Sequence, residues 1–131
     1  MRKLIIALAL AAVASLALAA GPASAGKKTH YQVTVSMHFQ RGSNFDAFAG
    51  TVRSKKGKCF KHRTVKVFKK RSGNDQKIGS DESDRHGDWQ LKIPYPGASQ
   101  GTYYAKVSKH KHHNYVCDKA RSGVTLVPAR P

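Results

Sequence analysis

The stretch Ser83–Pro94, SDRHGDWQLKIP, sets a turn directly against a strand. The Asp84 carboxylate can accept bonds from backbone N–H groups two or three residues on, and Gly87 can take a positive φ. From Trp89 onward, apolar side chains fall at every second position, Trp89, Leu91 and Ile93, with Asp88, Gln90 and Lys92 between them. That period marks a strand with one buried face.

The same alternation recurs on both sides. YQVTVSMHF (residues 31–39) places Tyr31, Val33, Val35, Met37 and Phe39 together. FDAFAGTVRS (45–54) carries Phe48, Gly50 and Val52 at period two, with Gly50 marking a bulge or a close approach. HRTVKVFKK (62–70) puts Val65 and Val67 on one face, and TYYAKVSKH (102–110) sets Tyr103, Ala105 and Val107 in line. QKIGSDES, NYVC and GVTLVP add shorter strands, and Gly-, Pro-, Asn- and Asp-rich turns separate them all. No window beyond the first 25 residues has helical periodicity, and no internal repeat or long linker is present. The pattern predicts an all-β domain of seven to eight strands, a single antiparallel sandwich or small barrel. Its expected core is Val33, Val35, Val52, Val65, Val67, Trp89, Leu91, Ile93, Tyr103, Ala105 and Val107.

The first 25 residues read differently. Arg2 and Lys3 precede an apolar run from Leu4 to Ala20, Gly21-Pro22 breaks it, and Ala23-Ser24-Ala25 supplies a small-residue cleavage site. This is a secretory signal peptide pattern, with cleavage expected after Ala25; the alternative is a retained anchor, for which the run barely reaches the shortest spanning length of about 17 residues. Cleavage leaves 106 of 131 residues, 26–131, as one domain without a transmembrane segment. Losing Arg2 and Lys3 lowers the formal charge from +17 to +15. Such a charge speaks to partners and solubility. Both cysteines, Cys59 and Cys117, lie in the exported part, so an oxidising compartment predicts one disulfide between them. Localisation is expected to be extracellular or at the cell surface.

The run FAGTV…CFKHRTVKVFKK…GNDQKIGSDESDRHGDWQL…GTYYAKV resembles the transthyretin-like, or carboxypeptidase-regulatory-like, β-sandwich family, including its small secreted bacterial members. The resemblance rests on Gly50-Thr51-Val52, Val65-Lys66-Val67, Ser83 to Trp89, and Tyr104-Ala105-Lys106-Val107. It implies an immunoglobulin-like or prealbumin-like sandwich, in which Asp84 and Gly87 are structural turn residues. The N-terminal strand, Tyr31 to Phe39, lies outside the motif. The hydroxyisourate hydrolases of this family carry Tyr-Arg-Gly-Ser at the C-terminus, where this chain has LVPARP, so their activity is not implied.

No Gly-x-Ser-x-Gly or His-Glu-x-x-His motif occurs, and the disulfide would consume both thiols, so no catalytic residue and no cofactor is expected. Five of the seven acids, Asp75, Asp81, Glu82, Asp84 and Asp88, cluster in one stretch. Their spacing does not match an EF-hand, and they read as an acidic turn. VSKHKHHNYVC (107–117) sets His110 and His112 on one face of a strand as ligands for Zn or Cu, provided a third ligand comes from elsewhere; His113 joins them only if the segment is a loop.

The basic residues come in runs, at 27–28, 53–58, 61–63, 66–71 and 109–113. If they converge, they form a face for an anionic cell-envelope polymer or polysaccharide, with non-specific nucleic-acid binding as a side effect. The expected contact residues are Lys55, Lys56, Lys58, Lys69, Lys70, Arg71, Lys109 and Lys111. The function is therefore expected to be a secreted, non-catalytic binding or structural module. Two rivals are extracellular metal binding through His110–His113 and assembly by strand addition at an unpaired edge.

Overall fold

The computed structural model describes residues 27–131, so the segment expected to be a signal peptide, with its cleavage after Ala25, lies outside the described residues. Among those described, no helix is long and apolar enough to cross a membrane. The described residues form twelve strands: β1 (Thr29–Tyr31), β2 (Val33–Val35), β3 (His38–Gln40), β4 (Phe45–Ser54), β5 (Thr64–Lys69), β6 (Gln76–Glu82), β7 (Asp88–Pro94), β8 (Gly101–Val107), β9 (His110–Lys111), β10 (Tyr115–Cys117), β11 (Ala120–Arg121) and β12 (Thr125–Val127). A single 3-10 turn spans Gly57–Cys59.

The strands lie in three sheets. In the first, β4 is flanked by β2 and β3 on one side and β7 on the other. In the second, β8 and β5 are central, β6 is one edge, and β11 and β12 share the other. The third holds β1, β10 and β9. All pairings are antiparallel except β1 with β10.

The expected seven or eight strands become twelve for local reasons. Register is continuous through β2 and β3, from Val35 opposite Val52 to His38 opposite Ala49. Between them the Ser36 hydroxyl accepts the Thr51 N–H at 3.0 Å, so a side chain replaces a rung of the ladder. Gly50 permits this approach: a Cβ there would lie 1.9 Å from the Ser36 carbonyl oxygen. Ser122 does the same between β11 and β12, accepting the Ala105 N–H at 2.8 Å, and the register slips by one residue. NYVC carries β10, but period-two alternation gives no sign that it pairs with β1 and β9 in a third sheet.

The first two sheets share one hydrophobic cluster. Nine of the eleven expected core residues are buried; Leu91 and Ile93 are half-buried and pack against the cluster. Phe48 is fully buried, its ring 4.9 Å from that of Tyr103 and 5.2 Å from that of Phe39. A fully buried Val or Phe contributes about 1.5–3 kcal/mol relative to exposure, so these positions dominate stability.

The stretch Ser83–Pro94 is the corner between the sheets: β6 pairs only with β5, β7 with β4. The Asp84 Oδ1 accepts the N–H groups of His86 (2.8 Å) and Asp88 (3.0 Å), two and four residues on. These bonds hold its carboxyl below the usual carboxylate range. Gly87 has φ +87°, and its carbonyl accepts the Val52 N–H at 2.7 Å, fixing the corner to β4.

Candidate functional site: a cationic face around Lys109

The disulfide Cys59–Cys117 exists, with both half-cystines fully buried. It ties the 3-10 turn between β4 and β5 to β10 of the third sheet. Beside it, His62 turns the chain with φ 51° and Arg63 points inward. Arg63 is only 6 % exposed. Its Nη1 donates to the Cys59 carbonyl at 2.7 Å, and its Nη2 to the Ser108 carbonyl. The buried Ser83 hydroxyl accepts the Arg63 N–H and donates to the Phe60 carbonyl. Arg63 thus joins the 3-10 turn to the β8–β9 loop. Among the described residues no carboxylate pairs with it, and burial alone pulls its pKa down.

Arg63 lies in the lining of a cleft of about 720 Å³, together with Lys58, Lys61, His62, Thr64, Lys66, Ser108, Lys109, His110 and His112. Lys109 also borders two adjoining hollows. One is lined by Lys27, Lys28, His30, Lys111 and Val116, the other by Lys106, Val107, Ser108, Lys119, Ala120 and Arg121. No carboxylate lines any of the three. Across the second sheet, Lys66 stands opposite Lys106, and Lys106 opposite Arg121. Like charges in directly opposed positions destabilise a sheet unless something else neutralises them.

The expected contact residues divide. Lys58 and Lys109 line the cleft and Lys111 the adjoining hollow. Lys56 sits over the rings of Tyr115 (4.7 Å) and Tyr31 (5.6 Å). Lys55 lines a separate groove with Tyr31 and Arg53. Lys69, Lys70 and Arg71 lie at the far end of β5, about 17 Å from its start at a strand's rise per residue, where Lys69 bonds to Ser99 and Arg71 to Gln76. Lys27, Lys28, Lys61, Arg63, Lys66, Lys106, Lys119 and Arg121 belong to the face but not to the expected set. Lys61, Arg63 and Lys66 stand within the basic runs, yet no spacing rule separated them from Lys69–Arg71.

His110 and Lys111 form β9, paired with β10, and the His112 N–H closes the hairpin on the Tyr115 carbonyl at 2.8 Å. The His112 ring stacks on Tyr115 at 4.3 Å and meets His110 edge-on at 4.3 Å. Burial, reinforced by His110, Lys58, Arg63 and Lys56, holds the His112 pKa below the ordinary histidine value. His113 lies in the exposed loop that follows. Among the described residues, no three His, Cys, Asp or Glu side chains come together as a metal-ligand group. The clustered acids serve local bonds instead: Asp81 accepts the Gln90 N–H, Asp75 the Tyr104 hydroxyl and the Arg71 N–H, and Glu82 faces His62.

Phe68 and Tyr104 stack on the outer surface of the second sheet, but Lys106 and Arg121 already cover their rings. They are therefore not open platforms for stacking bases. No protein-family model matches the chain, and no curated protein matches it.

Proposed function

We propose that the chain is a secreted, non-catalytic β-sandwich module that holds an anionic envelope polymer or polysaccharide against the Lys109-centred face. In this reading the two larger sheets are the halves of one sandwich of the transthyretin-like kind. Packing of β2 on β11, β3 on β12 and β6 on β7 supports that arrangement. The observation that carries the function is the convergence of eleven lysines and arginines on three adjoining hollows without a lining carboxylate. Charge alone would favour solubility; opposed Lys66, Lys106 and Arg121 and a buried Arg63 without a counter-charge favour an anionic partner. A metal-binding role for His110, His112 and His113 rests only on the contact between the first two rings. Calorimetry with Zn²⁺ or Cu²⁺ showing affinity tighter than micromolar would revive it.

The test is binding to purified cell envelope across a salt series. The variant K58Q/K61Q/K66Q/K109Q should lose most of the affinity and flatten the salt dependence. The variant K69Q/K70Q/R71Q, from the far end of β5, should lose little. Equal losses in both would mean that charge acts diffusely, and would refute a defined face.

A further inference from the structure

We propose that the cleft beside the disulfide seats a single phosphoryl group with Arg63 as its buried counter-charge. This rests on the reading of the Lys109 face as anion-binding and names the chemical group that the face selects. Buried guanidinium groups are ordinarily paired, because an ion removed from water without an opposite charge costs several kcal/mol even after relaxation. Arg63 is 6 % exposed, and its bonds to the Cys59 and Ser108 carbonyls use two of its five N–H donors. Both partners are neutral dipoles. The missing partner is an anion, and the cleft is where one can reach it.

The surroundings select the kind of anion. Lys58, Lys61, Lys66 and Lys109 line the same cleft, from the 3-10 turn, the loop after it, β5 and the β8–β9 loop. A carboxylate has one charge and two oxygens in one plane, which one guanidinium satisfies. A phosphoryl group has oxygens directed to several sides and carries up to two charges, so of the two it is the one that answers a guanidinium and several ammonium groups arriving from different elements. The cleft walls are also fixed: the disulfide, the Ser83 bridge and the Arg63 bonds hold the 3-10 turn and the β8–β9 loop in place before any ligand arrives. A pre-formed, carboxylate-free cleft that contains a buried cation is a receptor for one group, whereas the adjoining hollows that Lys109 also borders would follow the rest of a chain.

The experiment titrates the disulfide-bonded protein with inorganic phosphate, and separately with a short glycerol-phosphate oligomer. Acetate at the same ionic strength is the control, and binding is read by calorimetry and by amide shifts. The expected result is saturable binding of inorganic phosphate at one site, absent with acetate. It should weaken about tenfold or more in K58Q/K109Q, as for lost charged hydrogen bonds, and stay unchanged in K69Q/K70Q/R71Q. Tighter binding of the oligomer would support the inference and assign the group to a polymer; binding of free phosphate alone would support it for the free ion. Arg63→Lys should weaken phosphate as well, and should that variant fail to fold, K58Q/K109Q, altered only at the surface, still decides. Phosphate behaving like acetate, or equal loss in the far-end variant, would overturn it. Envelope binding that depends on the cleft lysines without any phosphate site would overturn this inference and leave the proposed function standing.

Discussion

Replacing Gly87 by alanine tests the corner on which the two larger sheets turn. The backbone there has φ +87°, and an added Cβ would stand 2.3 Å from the Val52 carbonyl oxygen and 3.3 Å from the Phe60 ring. A non-glycine residue held in that region costs about 1–3 kcal/mol. The overlap falls on backbone in the middle of the first sheet, so relief must open the 2.7 Å bond from the Val52 N–H to the Gly87 carbonyl. Overpacking of that kind adds about 1–3 kcal/mol, which brings the expected loss to about 4 kcal/mol, a large share of a typical stability of about 5–15 kcal/mol. For a domain near 100 residues, that lowers Tm on the order of 15–30 °C. Gly73→Ala is the matched control: nothing lies within 4 Å of the Cβ it would add, and its φ is not in the left-handed region. It should change stability by less than about 1 kcal/mol, in the favourable direction. Urea unfolding of both variants with the disulfide intact makes the comparison. Equal stabilities for Gly87→Ala and Gly73→Ala would refute the account of the corner.

Three other outcomes are expected. Asp46 is fully buried, accepts the Ala98 and Gly42 N–H groups, and pairs with Arg130 at 2.9 Å, so Asp46→Ala should cost about 3–5 kcal/mol in the same unfolding assay; Arg130→Ala, which leaves the backbone bonds in place, should cost less. Replacing Cys59 and Cys117 together by serine should lower stability by about 4 kcal/mol, as expected for a loop of this length, with the separation of 58 residues setting the scale. The folded chain holds His112 below its ordinary pKa of 6.5, so the unfolded chain binds that proton more readily. Stability should therefore be whole above that value and decline as pH falls below it, until the folded pKa is passed. Denaturant midpoints measured against pH should show that slope in the wild type and lose it in His112→Gln.

Period-two alternation revealed β5 and β7 because each buries one face, which is what the pattern encodes; β4 and β8 carry the same apolar period but also bury the residues between, Ala47 and Tyr104, on the opposite face. The pattern could not reveal the breaks at Ser36 and Ser122, where a hydroxyl takes a ladder bond, because a serine looks the same in sequence whether or not it does so. Asp46 escaped for a similar reason: a lone acid at the start of a strand reads as exposed until Arg130, 84 residues away, closes on it. The two cysteines were legible from compartment logic alone. The cationic face was legible only as a set of basic runs. Which runs meet depends on the register of β5 with β8 and β8 with β11, and that register separates Lys66 from Lys69–Arg71 although both lie in one run. Arg63 carried no mark in the sequence that distinguished it from its exposed neighbours.

The central claim, that distant basic runs meet as one binding face, is tested most directly by amide-shift mapping. The ¹⁵N-labelled protein would be titrated with a short heparin-derived oligosaccharide at moderate salt. Shifts are expected to be confined to residues 27–30, 58–66, 106–112 and 119–121, saturating together with one affinity. Shifts centred on Lys69–Arg71, or small shifts spread over every exposed lysine and proportional to ionic strength, would contradict it.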